Sequence, residues 1–402
     1  MRTILLLCTL SLLACDDTSP RADAATGDGD GNGDGTGDGD GDGDGDGDGD
    51  GDGDGDGDGD GDGTGDGDGD TEPPPDGLVP AFVAQGHLGR LMLSCDDGRT
   101  WIADRSDEQG DGTCWSGVNE IECDHDPGAG RGLVFGDGQV FATFGWGAPG
   151  SVRRSDDGVA WANVLEGESF GGMAYLGGVL LAGNRTSRTS TDDGDTWTDA
   201  FDSGLVGWNV RRAGQTDEAF VLVGDADDIV IGSADGQTWT APSTLPAGCG
   251  AGVQTRGGIA FGGGVLLVVG GDGVACSSTD GGDSFTQVSV GGEVVSHLVW
   301  SGSDFVVYGA TDAYRSADGE VWTTTPITPA LRFGPVAVSD DGTFVAVEGG
   351  WGESVWYAGQ EFYRSSDGIS WEALPAGSFT GGHPIRDMAF GYLQPSAECT
   401  LP

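Results

Sequence analysis

Beyond residue 80 the apolar residues fall in short runs separated by Gly- and Asp-rich punctuation. The clearest stretch is Gly258 to Phe261 and Val265 to Gly270, split by a Gly-rich turn, with a third run from Gly273 to Ser278. Runs of this length, bounded by turn residues, predict β-strands. A polar segment rich in Ser and Asp follows each set, and the pattern repeats along the rest of the chain. The first set departs from it. It begins at Ala81-Phe82-Val83 and is one strand short. The missing strand is predicted at the far end, over Ile385 to Phe390. A C-terminal strand that completes an N-terminal sheet closes a ring of sheets and leaves no open edge.

The polar segments are copies of one signature. They read SCDDGRTW from Ser94, SDDGVAW from Ser155, STDDGDTW from Ser190, SADGQTW from Ser233, STDGGDSF from Ser278, SADGEVW from Ser316 and SSDGISW from Ser365. Successive copies lie 61, 35, 43, 45, 38 and 49 residues apart, the size of one propeller blade. The carboxylate accepts backbone N–H groups across a tight turn, the glycine allows positive φ, and the large ring packs between sheets. Phe285 replaces the Trp in the fifth copy.

This signature resembles the Asp-box, or BNR repeat, Ser-x-Asp-x-Gly-x-x-Trp; three copies have the full length and four are one residue shorter. The resemblance spans roughly residues 80 to 392. It implies an all-β, seven-bladed propeller of four-stranded blades, with each box on the turn between third and fourth strands, away from the ligand face. None of the box aspartates is therefore expected to be catalytic. The best-known proteins with this repeat are the sialidases. They use an arginine triad, a Tyr nucleophile with a Glu partner, an Asp acid/base and an Arg-Ile-Pro motif. No Arg-Ile-Pro occurs here, and spacing pairs none of the six Tyr with a Glu. The photosystem assembly factor family has a similar single propeller and is not an enzyme. The reading is a binding or scaffold propeller for a glycan, peptide or other anionic ligand, with a sialidase-like exo-glycosidase as the alternative.

The first 76 residues are of another kind. Ile4 to Leu13 is an apolar run of ten residues, the length of a signal h-region and too short to span a bilayer. It ends in Leu12-Leu13-Ala14-Cys15, which resembles a bacterial lipobox. The resemblance implies a signal peptide over 1–14, lipidation of Cys15, and a place in a bacterial cell envelope, at an outer membrane or cell surface. Two or more acyl chains anchor stably. Residues 27–70 alternate Gly with Asp, save for Asn32, Thr36 and Thr64. With nothing apolar to bury and a charge at every second position, 15–76 is expected to be a disordered, extended tether. At full stretch it reaches roughly 200 Å. No cofactor is expected. Asp-x-Asp-x-Asp-Gly resembles calcium loops but lacks their frame and twelfth ligand, so only weak Ca²⁺ association is expected.

The formal charge is −50, every one of the 17 basic residues is Arg, and Lys is absent. From Gly77 on, 43 acids face 15 Arg, a balance of −28. Such a surface repels phosphate backbones, which argues against nucleic acid, and the propeller is expected to be monomeric.

Beyond Cys15, six cysteines remain in the exported part: Cys95, Cys114, Cys123, Cys249, Cys276 and Cys399. Sequence alone permits 15 pairings of six cysteines. Cys114 and Cys123 share a loop and are expected to form a disulfide. Cys95 and Cys399 both belong to the first blade, where a bond would lock the ring, and Cys249 and Cys276 are left beside blade five. Ligand candidates come from the loops of the opposite face. Trp115, Trp146, Trp208, Trp351 and Trp356 map there, and either offer stacking or cap the blades. Arginine recurs where inner strands begin, at Arg131, Arg211, Arg212, Arg256, Arg332 and Arg386. These guanidinium groups either meet an anion or pair with the chain's own acids. The strongest combination is Arg131, Arg256, Arg332 and Arg386 with Trp146 and Trp351. His87, His125 and His383 fall on loops near blade one, as a conceivable metal site or as solvated side chains.

Overall fold

The computed structural model describes residues 77–86, 89–105, 129–146, 150–167, 170–184, 186–202, 210–224, 229–240, 243–250, 257–348, 361–375 and 385–400. The signal and tether segments, Cys15, Cys114, Cys123, Arg256, Trp115, Trp208, Trp351, Trp356, His87, His125 and His383 lie outside them. The described chain forms seven four-stranded antiparallel sheets. Their inner strands are Ile385–Leu393, Ala129–Gly136, Gly172–Leu176, Val210–Gln215, Gly258–Gly262, Val299–Trp300 and Phe333–Val338, for blades one to seven. Each inner strand contacts the next and the seventh contacts the first, so the sheets close as the blades of a propeller.

Burial follows position within the blade. Second strands such as Phe220–Gly224 and Val265–Val269 are buried throughout, because both faces lie against neighbouring sheets. They read as continuous apolar runs rather than alternating ones, as doubly covered strands do. Outer strands such as Thr323–Pro326 are exposed throughout. The core is a series of clusters at the blade junctions, such as Val221, Val223, Leu266 and Val268 between blades four and five.

Blade one joins the two ends of the chain. Ile385–Leu393 is its inner strand and pairs with Val79–Gly86 in a register that sets Phe82 opposite Phe390. The Cys95–Cys399 disulfide bonds the same blade, with a Cα separation of 5.7 Å and 304 residues between its ends. Blade seven grips blade one through Asp97. Arg364 Nε donates to the Asp97 carbonyl at 2.8 Å, and Thr343 Oγ1 donates to its carboxylate at 2.9 Å. A second disulfide, Cys249–Cys276, ties the segment after blade four to the third strand of blade five.

Each seven- or eight-residue signature forms the turn between the third and fourth strands of its blade. In blade three, Ser190 Oγ donates to Asp192 Oδ1 at 2.7 Å, and the Thr196 and Gly194 N–H groups donate to the Asp192 carboxylate and to Ser190 Oγ, each at 2.8 Å. Trp197 Nε1 then donates to the Gly194 carbonyl at 2.9 Å. Hydrogen bonds from Thr196 hold the Asp192 carboxyl below its ordinary range. The box carboxylates are committed to their turns, which leaves the chemistry to other residues.

Candidate functional site

Alternation of the strands fixes two faces. First hairpins and box turns share one face, so every inner strand begins at the opposite one. Three polar side chains from the starts of separate inner strands meet there: Arg212 of blade four, His297 just ahead of Val299–Trp300, and Asp387 of blade one. Arg212 Nη2 lies 3.0 Å from His297 Nε2, His297 Nδ1 lies 3.4 Å from Asp387 Oδ1, and Arg212 Nη1 lies 3.9 Å from Asp387 Oδ2. The three side chains are 14, 8 and 13% exposed, in that order. They line a central cavity of about 290 Å³, walled by Met173, Trp300, Met388 and Phe390.

The arrangement defines its own proton positions. A guanidinium only donates, so His297 Nε2 must accept from Arg212, and the imidazole proton sits on Nδ1 toward Asp387. Burial and the Arg212 charge push His297 below its ordinary pKa, against the opposing pull of Asp387. Burial alone would raise Asp387, but the His297 hydrogen bond, the Arg212 charge and the Met388 N–H at 3.0 Å outweigh it, and the carboxyl lies below its usual range. The cluster is therefore a cation and an anion bridged by a neutral imidazole.

Backbone geometry holds His297 in place. Its N–H donates to Gly334 O of blade seven at 2.9 Å, and on its other side the Gly257 N–H donates to Ser296 O at 2.6 Å and the Leu298 N–H to Gly257 O at 2.8 Å. Gly257 has φ +66°, and a Cβ there would stand 2.0 Å from Val269 O, so no other residue fits without moving the strand. Inner strands of three blades are thus stitched together where the imidazole enters the cavity.

Of the arginines singled out in the sequence, Arg212 reaches this cavity. Arg332 is exposed on the segment leading into its strand, and Arg386 is buried beside Asp387; neither lines the cavity. Arg131 lies in the inner strand of blade two, and its side chain is not among those described. Trp146, expected on a loop, is the last residue of the strand Gln139–Trp146, which runs further toward that face than the apolar run suggests. Sequence reasoning overlooked His297 and Asp387. The signal was present, in a histidine and an aspartate at inner-strand starts like the arginines.

A Tyr–Glu contact also exists that spacing did not suggest. Tyr363 OH donates toward Glu361 Oε2 at 3.2 Å and Glu348 Oε2 at 3.3 Å. It sits in the third strand of blade seven, away from the cavity lining. Burial and the two carboxylates raise the phenol above its ordinary pKa, which opposes phenoxide formation.

No family model and no curated protein matches the sequence. Among solved structures, the chain is similar to a putative 6-phosphogluconolactonase from Bacteroides fragilis, at 9% identity over 79% of this chain and 98% of that one, with a TM-score of 0.50. It is similar too to apo AztD from Citrobacter koseri, at 10% identity over 78% and 98% of the two chains and a TM-score of 0.49. YCF48 from Cyanidioschyzon merolae matches at 14% identity over 63% and 86%, with a TM-score of 0.48. At such identities the likeness is one of fold.

Proposed function

We propose that the chain is a lipid-anchored, exported Asp-box propeller that binds a carboxylate-bearing glycan or peptide at the open end of its central channel. The observation that carries this reading is the Arg212–His297–Asp387 cluster in a cavity with aromatic walls. Arg212 lines the cavity while His297 and Asp387 hold its orientation. A fixed guanidinium is suited to a carboxylate, and Trp300 and Phe390 belong to the apolar part of the same cavity wall. Hydrolysis is disfavoured because the His297 Nε2 lone pair is taken by Arg212 and cannot serve as a base. The anchor would be acylated Cys15, the Gly-Asp tract would hold the propeller off a bacterial envelope membrane, and any Ca²⁺ would associate with that tract only loosely.

The test is a glycan and peptide array on the purified propeller, run beside a fluorogenic sialoside assay. Binding should fall at least about tenfold in Arg212→Ala, as loss of a charge-assisted pair predicts, and also weaken in Trp300→Leu, with cooperative melting retained. Binding untouched by both changes would remove the site. Sialoside turnover lost in Arg212→Ala would favour the glycosidase. For the anchor, wild type should enter the detergent phase and Cys15→Ser should stay aqueous; equal partitioning refutes lipidation.

A further inference from the structure

On the box face, three blade junctions are bridged in the same way. The residue just before the box serine is Arg154 in blade two, Arg315 in blade six and Arg364 in blade seven. Each reaches the next blade's box and donates to the carbonyl of the residue preceding the box glycine. Arg154 Nη1 donates to Asp193 O at 2.7 Å and also meets the Asp195 carboxylate at 2.9 Å. Arg364 Nε donates to Asp97 O at 2.8 Å, and Arg315 donates to Asp367 O. In the full-length boxes the accepting residue is left-handed, with φ 59° at Asp97 and 56° at Asp193.

Between blades four and five the acceptors remain and the arginine is gone. Its position is Gly232. The fifth box is also full-length, with Gly281 at φ 76° where Asp97 and Asp193 stand, and Asp283 aligned with Asp195. Gly232, Ser233, Asp235, Gly281, Gly282 and Asp283 line a cavity of about 460 Å³. This is also the box that carries Phe285. In four others the Trp Nε1 donates to the carbonyl of the box glycine at 2.9–3.3 Å, and phenylalanine has no N–H to do so. Hydrogen bonds led by the Thr238 N–H hold the Asp235 carboxyl at about 2, so this wall is anionic at neutral pH.

We propose that this cavity is a seat for the guanidinium of an arginine side chain presented by a partner polypeptide. The Gly281 carbonyl and the Asp283 carboxylate take the roles that Asp193 and Asp195 play for Arg154. Arg154 makes both contacts from Nη1, whereas Arg364 spreads them over Nε and Nη2 on Asp97, a planar fork that a lysine ammonium cannot copy. A basic partner also suits a propeller that carries −28 from Gly77 on and no Lys. The seat lies on the face opposite the Arg212 cluster, so two ligands of opposite charge can be held at the two faces.

The test titrates the full chain with the blocked tripeptide Ala-Arg-Ala by calorimetry. Saturable binding is expected, at least about tenfold tighter than for blocked Ala-Lys-Ala. Gly232→Arg should abolish it by filling the seat from within, with melting unchanged or raised. A Cβ at 232 meets Thr240 Oγ1 at 3.6 Å and Phe220 O at 3.9 Å, ordinary contacts. Asp283→Asn should weaken binding about three- to tenfold with no change in melting, and it decides the matter if Gly232→Arg folds poorly. No saturable binding, equal binding of the lysine peptide, or wild-type binding by folded Gly232→Arg would each overturn the proposal.

Discussion

Removing residues 385–402 is expected to abolish cooperative folding of the whole ring, although the deletion touches one of the 28 strands among the described residues. That strand carries Ile385, Met388 and Leu393, all buried, and covers Phe82 and Ala84. Burial of a large aliphatic side chain contributes about 1.5–3 kcal/mol. Three such losses alone approach the 5–15 kcal/mol that typically separates folded from unfolded domains. The deletion also leaves the inner edge of Val79–Gly86 unpaired, removes Cys399 from its disulfide and withdraws Asp387 from Arg212. The measurement is thermal unfolding followed by circular dichroism. The wild type should melt in one transition and the truncated chain in none. A synthetic peptide of residues 385–402 should partly restore the transition, since an added strand can complete an open edge. A truncated chain that melts like wild type would show that the ring closes without its C-terminal strand.

Asp387→Ala is expected to destabilise the propeller by about 3–5 kcal/mol, because it takes the carboxylate out of a buried Arg–His–Asp cluster. This corresponds to a drop in Tm of roughly 5–10 °C for a domain of this size. Asp387→Asn should cost less, since the amide keeps an acceptor for His297 but loses the charge. The pH dependence has a definite sign. His297 is depressed in the folded state, so its contribution is present above its unfolded value near 6.5 and is lost as pH falls from there through the lower folded value. Asp387 is depressed too, so its contribution is present above about pH 4 and disappears below that. The stability gap between wild type and Asp387→Asn should therefore hold or grow between about pH 6.5 and 4, because losing Asp387 depresses His297 further, and close below about pH 4 as Asp387 itself is protonated. A gap that failed to close below about pH 4 would contradict an ionised Asp387 as the source of the effect.

The sequence by itself determined the blade count, the box turns and the closing strand. The first two depend on interactions close along the chain; the closing strand pairs with the far end, at Val79–Gly86, and was legible from the strand count. The Ser-x-Asp-Gly turn satisfies its own N–H groups within four residues, and a strand sandwiched by its neighbours has to be apolar at every position, as in Phe220–Gly224. The predicted strand at Ile385–Phe390 followed from counting strands, and the structure extends it to Leu393.

The tertiary structure decided the rest. Arg212 and His297 are 85 residues apart, and Asp387 lies another 90 further on, so no local spacing marks them as a group. They meet because the ring brings the starts of three inner strands to one end of one channel. The arginines chosen from the sequence shared the right part of the strand, yet adjacent strand residues face opposite ways, and that separates Asp387, which lines the cavity, from Arg386, which does not. The arginine seat has the same origin. Gly232 in place of arginine can be read in the sequence, but what it leaves open depends on Gly281 and Asp283 of the next blade, which only the packing of the blades places across from it.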